Sequence, residues 1–505
     1  MTPAPSPKPA ARRRRSATVL GAVLALAAAA LFPGCATNPA TGESMMSFIS
    51  PEEEARIGAR EHRKLVPAFG GAITDKDLQR YVSSVGALLA RTSELPNLRF
   101  TFTVLDTDTV NAFALPGGYV YITRGLLALA NSEAEIAGVL AHEIGHVTAR
   151  HAAQRHTRSV FAGLGAAAVG ILTGSGELAQ VAGTGLGAYV RSYSRGQEFE
   201  ADKLGIRYLK RAGFDPGAMA SFLTNLRAHA RLDARLKGQA PDSVDEANFM
   251  STHPRTLDRV RQAAAAAEGA PPRNPIVGRE VYLDKIGAMV YGDSPEQGFV
   301  RGRDFLHPRL RIRFRVPPGF LLINQPSQVV AKGPRGALIL FSAAPAGREQ
   351  TPYRYLVNVW GRELRLFDLD RFFVNRLPAA SGAARVRTRQ GIRTLRLVAI
   401  RQGRRMYRFL FLEGGGGRRA LDETFRETAF SFRAVSPGEA RQWQPYRIRV
   451  VRARRGDTVE RMARRMAPPR FKLERFRVLN GLGPRERLTP GRRVKIVVLG
   501  PQTRS

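Results

Sequence analysis

The chain has 505 residues, a formal net charge of +37 at pH 7 and a single cysteine, Cys35. That length gives room for about three domains, each able to bury its own core, while one cysteine excludes an intramolecular disulfide and any cysteine-rich zinc module. The charge is uneven: residues 1–50 carry +4, residues 51–300 carry +1 and residues 301–505 carry +32, so a nearly neutral central region precedes a strongly basic one.

Arg12 to Arg15 form a positive cluster, followed by an apolar run from Ala17 to Phe32. That run is shorter than the roughly 20 residues a membrane-spanning helix needs, and Pro33-Gly34-Cys35-Ala36 follows it. A positive n-region, an apolar h-region and a small residue before Cys35 resemble a bacterial lipoprotein signal, with Cys35 as the lipidated N-terminus. An ordinary cleaved signal and an uncleaved anchor are the other two readings, and all three export the remainder of the chain. Residues 36–50 read as a tether. The basic half suits nucleic acid or an anionic surface. Export argues against nucleic acid and for envelope lipids or polymers, with a solvated arginine-rich surface as the bland alternative.

Ser50-Pro51-Glu52-Glu53-Glu54 reads as a helix start, with a cap, a proline at the first position and acids in the first turn. The helical pattern runs to about Leu65 and returns from Thr74 to Arg91. Leu98 to Leu105 alternates as a strand. Val110 to Ile122 reads as two extended pieces around Pro116-Gly117-Gly118, a candidate strand for pairing with an extended substrate or a plain sheet edge.

Ser132 and Glu135 then stand at capping-box spacing ahead of an apolar-periodic helix. Within it lies His142-Glu143-Ile144-Gly145-His146, an H-E-x-x-H pattern. Residues four apart project from one helix face, so His142 and His146 can grip one zinc ion, and Glu143 is placed as general base. Ala149 and Ala152 occupy the positions where metzincins carry a glycine and a third histidine, which rejects that class. The third ligand is then an acid on a later helix. Ser194 to Gly205 offers Glu198 and Asp202 on one face: Glu198 to reach the metal, Asp202 to hold the outer nitrogen of a ligand histidine. Glu200 is the rival ligand. Between the two helices, Phe161 to Tyr189 is rich in glycine and alanine and reads as a lid over the cleft or a buried packing segment.

H-E-x-x-H-V-x-A-R-H followed by S-R-x-x-E-x-E-A-D resembles the gluzincin metallopeptidases of the HtpX and BepA type, relatives of the CAAX-prenyl endopeptidases, over about residues 50 to 265. The resemblance implies a mainly α zincin-type domain with a small sheet, one zinc ion held by His142, His146 and Glu198, Glu143 as catalytic base and Asp202 behind the ligands. It also implies catalytic roles for His253 and Arg259, in His253-Pro254-Arg255-Thr256-Leu257-Asp258-Arg259, with His253 as a switch on the metal or a stabiliser of the transition state at the reacting carbonyl. The spanning helices of integral-membrane relatives are missing, and so is the 34-residue period of the helical repeats common beyond this domain in the exported branch.

Ala263 to Asn274 reads as a boundary. Residues 276–435 read as a β-rich accessory domain, with helix near Tyr353 to Leu377. Residues 446–498 run strand, Gly456-Asp457-Thr458 turn, helix, Asn480-Gly481 loop, Pro490-Gly491 turn, strand. They resemble a LysM module, a βααβ fold that binds N-acetylglucosamine polymers. The expected organisation is a signal over 1–35, a tether over 36–50, a metallopeptidase over 51–265, the accessory domain over 276–435 and LysM over 446–498. The expected function is a zinc metalloendopeptidase of the bacterial cell envelope, periplasm-facing and lipid-anchored, acting on envelope proteins, with peptidoglycan as a further partner and no nucleic acid. An envelope-binding, chaperone-like protein with a silent metal site is the rival of another class.

Overall fold

A computed structural model describes residues 34–47, 49–155, 157, 193–241, 256–269, 272–388, 391–415 and 417–500. The expected signal segment before residue 34, the candidate lid and His253 lie outside the described residues, as does the side chain of Cys35. Among the described residues, no helix is long and apolar enough to cross a membrane.

The stretch expected as a tether is folded. β1 (Gly34–Thr37) and β2 (Ser44–Ser47) form an antiparallel hairpin. Its turn is held by Asn38, whose amide donates to the Glu43 carbonyl at 2.8 Å and whose Oδ1 accepts from the Ala40 amide at 2.9 Å. Ser50 opens α1 (Pro51–Ala68), accepting the Glu53 amide at 3.2 Å, and Asp75 caps α2 (Lys76–Arg91). β3 (Thr101–Leu105) runs parallel to β5 (Tyr119–Thr123), which pairs antiparallel with β4 (Ala112–Leu115). The order β3-β5-β4 leaves β4 on an edge, as the Pro-Gly-Gly hairpin implied. Gly117 and Gly118 make that turn at φ of +77° and +85°, where a side chain would be strained.

A short helix, α3 (Arg124–Leu129), leads to α4 (Glu133–Thr148), which carries H-E-x-x-H. The Ser132 hydroxyl accepts the Glu135 amide at 3.2 Å, but the Glu135 carboxylate reaches one residue further back than in a capping box, to the Asn131 amide at 2.7 Å. Every residue from Ala134 to Thr148 is buried, because α2, α5 (Arg195–Arg211), α6 (Gly217–Leu236) and the small sheet enclose α4. The alanine run expected to mark a boundary is the second half of α7 (Thr256–Glu268), with Ala263 in the same core. So are Tyr282, Leu283 and Ile286 of α8 (Arg279–Ile286), inside the stretch expected to begin the accessory domain.

β6 (Val290–Tyr291) pairs with a strand far along the chain, described below. The β-rich region follows. β7 (Phe299–Arg301), β8 (Asp304–His307) and β9 (Ile312–Arg315) belong to a four-stranded sheet. β10 (Leu321–Gln325), β11 (Gln328–Lys332) and β12 (Leu338–Pro345) begin an antiparallel seven-stranded one. The helix expected from Tyr353 to Leu377 is only α9 (Pro352–Tyr355) and one wide turn to Trp360. From Phe367 to Val374 the chain is β13, because ladder bonds to β14 (Leu377–Thr388) override the local helical pattern. β15 (Gly391–Gln402) and β16 (Arg405–Leu412) complete the large sheet, α10 (Gly417–Ser431) packs on it, and β17 (Arg433–Ala434) closes the small one. Phe305, Phe314, Phe341, Phe409, Phe411 and Phe432 fill the core between them.

The chain ends on β18 (Tyr446–Arg452), α11 (Val459–Arg464), α12 (Lys472–Leu479) and β19 (Arg493–Leu499), with sheet order β19-β18-β6. This unit does not hang from a linker. Ile448 joins the α4 core, and the ammonium of buried Lys495 donates to the carbonyls of Ala128 at 2.9 Å and Ala130 at 2.5 Å, at the C-terminal end of α3.

Candidate metal centre

The site is built where α4 and α5 cross. Both helices carry a glycine at the contact. A methyl on Gly145 would come within 3.1 Å of the Ala201 carbonyl oxygen, and one on Gly205 within 3.1 Å of the His142 amide nitrogen. That close approach brings the start of α5 over the histidine pair. His142 Nε2 and His146 Nε2 lie 3.0 Å apart, and the Glu198 carboxylate stands 3.6 Å from each. All three side chains are buried.

The outer nitrogens are already occupied. His142 Nδ1 lies 2.9 Å from Asp202 Oδ1. An ionised carboxylate only accepts, so the proton sits on Nδ1 and the Nε2 lone pair faces the cluster. His146 Nδ1 meets His151 Nδ1 at 2.7 Å. Two imidazole nitrogens and a carboxylate oxygen converge on one point, with separations close to those of a tetrahedral zinc site. Among the described residues, His142, His146 and Glu198 are the one such cluster, and this donor set fits zinc.

Arg259 reaches in from α7. Its guanidinium forks onto both Asp202 oxygens at 2.7 Å and approaches Glu198 Oε2 at 3.0 Å. Burial pushes the Asp202 carboxyl up, but the Arg259 charge and hydrogen bonds, with those of His142, overcome it and hold Asp202 below the usual carboxylate range. The same carboxylates hold Arg259 above its ordinary value against burial. Arg259 thus sits behind the cluster as a clamp on Asp202 and Glu198. Glu143 is buried one position after His142. Glu200, the rival ligand, points away, with Oε2 3.2 Å from His151 Nε2 and Oε1 accepting from Asn38 Nδ2 at 2.8 Å.

The model of peptidase family M48 matches residues 76–267. The fission-yeast (Schizosaccharomyces pombe) mitochondrial metalloendopeptidase OMA1 is 30% identical over 262 residues, half of this chain and 73% of that protein. The chain belongs to family M48. The beta-barrel assembly-enhancing proteases of Yersinia pestis and Escherichia coli K12 are 33% and 32% identical over 246 and 262 residues, or 44% and 50% of this chain. The chain spans about half the length of these bacterial relatives, 50% and 52%.

Two features of this M48 site were missed in the sequence. Tyr193 stacks on the His146 ring, centroids 3.8 Å apart and planes 16° from parallel, and burial pushes its hydroxyl up to about 12. His151 follows a helix end at Thr148 and a turn through Arg150 at φ +52°. Helical spacing would put residues 146 and 151 on different faces; the left-handed residue folds them together. The one legible signal was an arginine and a histidine just past the helix.

Proposed function

We propose that the protein is a zinc-dependent metalloendopeptidase of the bacterial cell envelope. The observation that carries this reading is the convergence of His142, His146 and Glu198 on one point, with Glu143 on the same buried helix. His142, His146 and Glu198 would hold the zinc. When bound there, zinc would polarise a scissile carbonyl and lower the pKa of the attacking water toward ~7. Glu143 takes the proton of that water and passes it to the leaving amine nitrogen. Asp202, clamped by Arg259, keeps His142 in the tautomer that presents Nε2. The edge strand β4 offers backbone groups to an extended substrate, since Ala114, Leu115 and Pro116 line the same small hollow as His146. His253 is carried as a switch or stabiliser on the family resemblance alone.

The names of the bacterial relatives favour envelope or outer-membrane proteins as substrates. The signal-like N-terminus with Cys35 favours a lipid-anchored, periplasm-facing protein. The βααβ order of residues 446–499 supports the LysM reading, with peptidoglycan as ligand. Glu143→Gln tests the catalytic assignment: the variant should retain zinc at wild-type stoichiometry and lose cleavage of casein and of itself. Peptidase activity persisting in that variant would sink it.

A further inference from the structure

The two candidate zinc histidines are supported differently. His142 rests directly on a carboxylate, Asp202, whereas His146 rests on a second imidazole. The 2.7 Å contact between His146 Nδ1 and His151 Nδ1 requires one proton between them. Which nitrogen carries it follows from the far end. Glu200 Oε2 only accepts and lies 3.2 Å from His151 Nε2, so that nitrogen carries the N–H there, and in the tautomer with one N–H per ring His151 Nδ1 is the acceptor. His146 Nδ1 then donates, and His146 Nε2 keeps its lone pair toward His142 and Glu198. The reverse arrangement would point an N–H from His146 into the cluster and block metal binding.

Glu200 is fixed in turn. Its Oε1 accepts from Asn38 Nδ2 at 2.8 Å, and the orientation of that amide is set by Asn38 Oδ1 accepting from the Ala40 amide. Asn38 is buried in the hairpin turn, three positions after Cys35. His151 is fully buried, and the left-handed turn that presents it is pinned by Arg150, which donates to Glu54 at 2.8 Å and to the Ile49 carbonyl at 2.9 Å. Both ends of the chain of contacts are therefore held by the N-terminal segment.

We propose that His151 and Glu200 are positioning residues for the metal ligand His146, and that Asn38 fastens this relay to the N-terminal hairpin. The proposal rests on the zinc reading above. It makes the N-terminal hairpin part of the metal site, so that a disturbance of the hairpin weakens zinc binding without touching a ligand.

The test is zinc affinity of the purified protein, by competition with a chromogenic chelator, and the visible spectrum of the Co²⁺-substituted protein. His151→Phe and Glu200→Ala should each bind zinc about 10–100-fold more weakly, with an altered cobalt spectrum. Glu200→Gln, which keeps a neutral acceptor, should recover part of the loss. Asn38→Ala should shift affinity in the same direction by less. If His151→Phe does not fold, Glu200→Ala and Asn38→Ala decide. Folded variants with wild-type zinc affinity and an unchanged cobalt spectrum overturn the relay. The zinc reading fails separately, if the wild type binds no zinc or His146→Ala binds it as the wild type does.

Discussion

Arg259 is the residue on which the electrostatics of the site turn. It is buried and contacts two buried carboxylates, Asp202 and Glu198. Removing one partner of such a group leaves the others uncompensated, a loss of about 3–5 kcal/mol. Arg259→Leu should therefore destabilise the metal-free protein by that amount. Zinc held by Glu198 and the histidines would supply a cation beside one of those carboxylates, so saturating zinc should restore part of the loss. Thermal unfolding with and without zinc would measure both. A variant as stable as wild type without metal would mean that the clamp contributes little. Arg259→Lys should rescue poorly, because an ammonium cannot fork onto both Asp202 oxygens.

At the scale of elements, the site depends on how closely α4 and α5 approach. A methyl carbon on Gly205 would lie only 3.1 Å from the His142 amide nitrogen and equally close to the Met219 methyl, tighter than ordinary packing contact. Gly205→Ala must move one helix by a few tenths of an ångström, and the movement falls on the distance between Glu198 and the histidines. Zinc affinity should fall by about tenfold while stability drops by only about 1–2 kcal/mol. Chelator competition and denaturant unfolding separate the two effects, and a loss of stability alone would point to core strain remote from the ligands. These elements explain what was legible beforehand. Periodicity and caps marked α1, α2 and α4, and spacing on single helices brought out His142, His146, Glu198 and Asp202. Contacts made across a break in regular structure were hidden. His151 joins His146 only through the turn at Arg150, and Asn38 meets Glu200 across 162 residues. β13 looked helical because its exposed edge has no clean alternation, and only its pairing with β14 defines it.

At the scale of the whole molecule, the C-terminal unit interlocks with the α4 core through Ile448 and Lys495. Between the α4 core, the β-rich region and the terminal unit lies a cavity of about 820 Å³, whose lining includes Asp108, His229, Asp293, Asn324 and Arg475. Burial, reinforced by Asp108, pushes the Asp293 carboxyl up to about 6 from its ordinary 3.8. A carboxyl raised on folding adds stability that is fully present below its unfolded value and lost as pH rises through its folded value. The native protein should therefore gain stability as pH falls from 7.5 to 5, by about 1.4 kcal/mol from this group, since pH 5 lies one unit below its folded value. Urea unfolding at both pH values checks this: Asp293→Asn should flatten the gain, and an equal gain in the variant would assign it elsewhere.

The junction itself is set by Lys495. Burial holds its ammonium well below the ordinary lysine value, opposed by the charge of Glu135, while carbonyls from Ala128 to Ala130 accept its protons. Deleting residues 440–505 would strip both Lys495 and Ile448 from the catalytic core, so truncation is a poor way to ask what the terminal unit binds. Lys495→Met alone should cost about 2–4 kcal/mol, because it orphans those carbonyls and removes a positive charge that favours the Glu135 carboxylate. Glu135→Gln alone should also destabilise, since Glu135 accepts from both Asn131 and Ser221. If the two charges support each other across the junction, the double variant should cost less than the sum of the singles by about 1 kcal/mol or more. Strict additivity would mean that Lys495 serves only the end of α3, and that the terminal unit is held by apolar contact around Ile448.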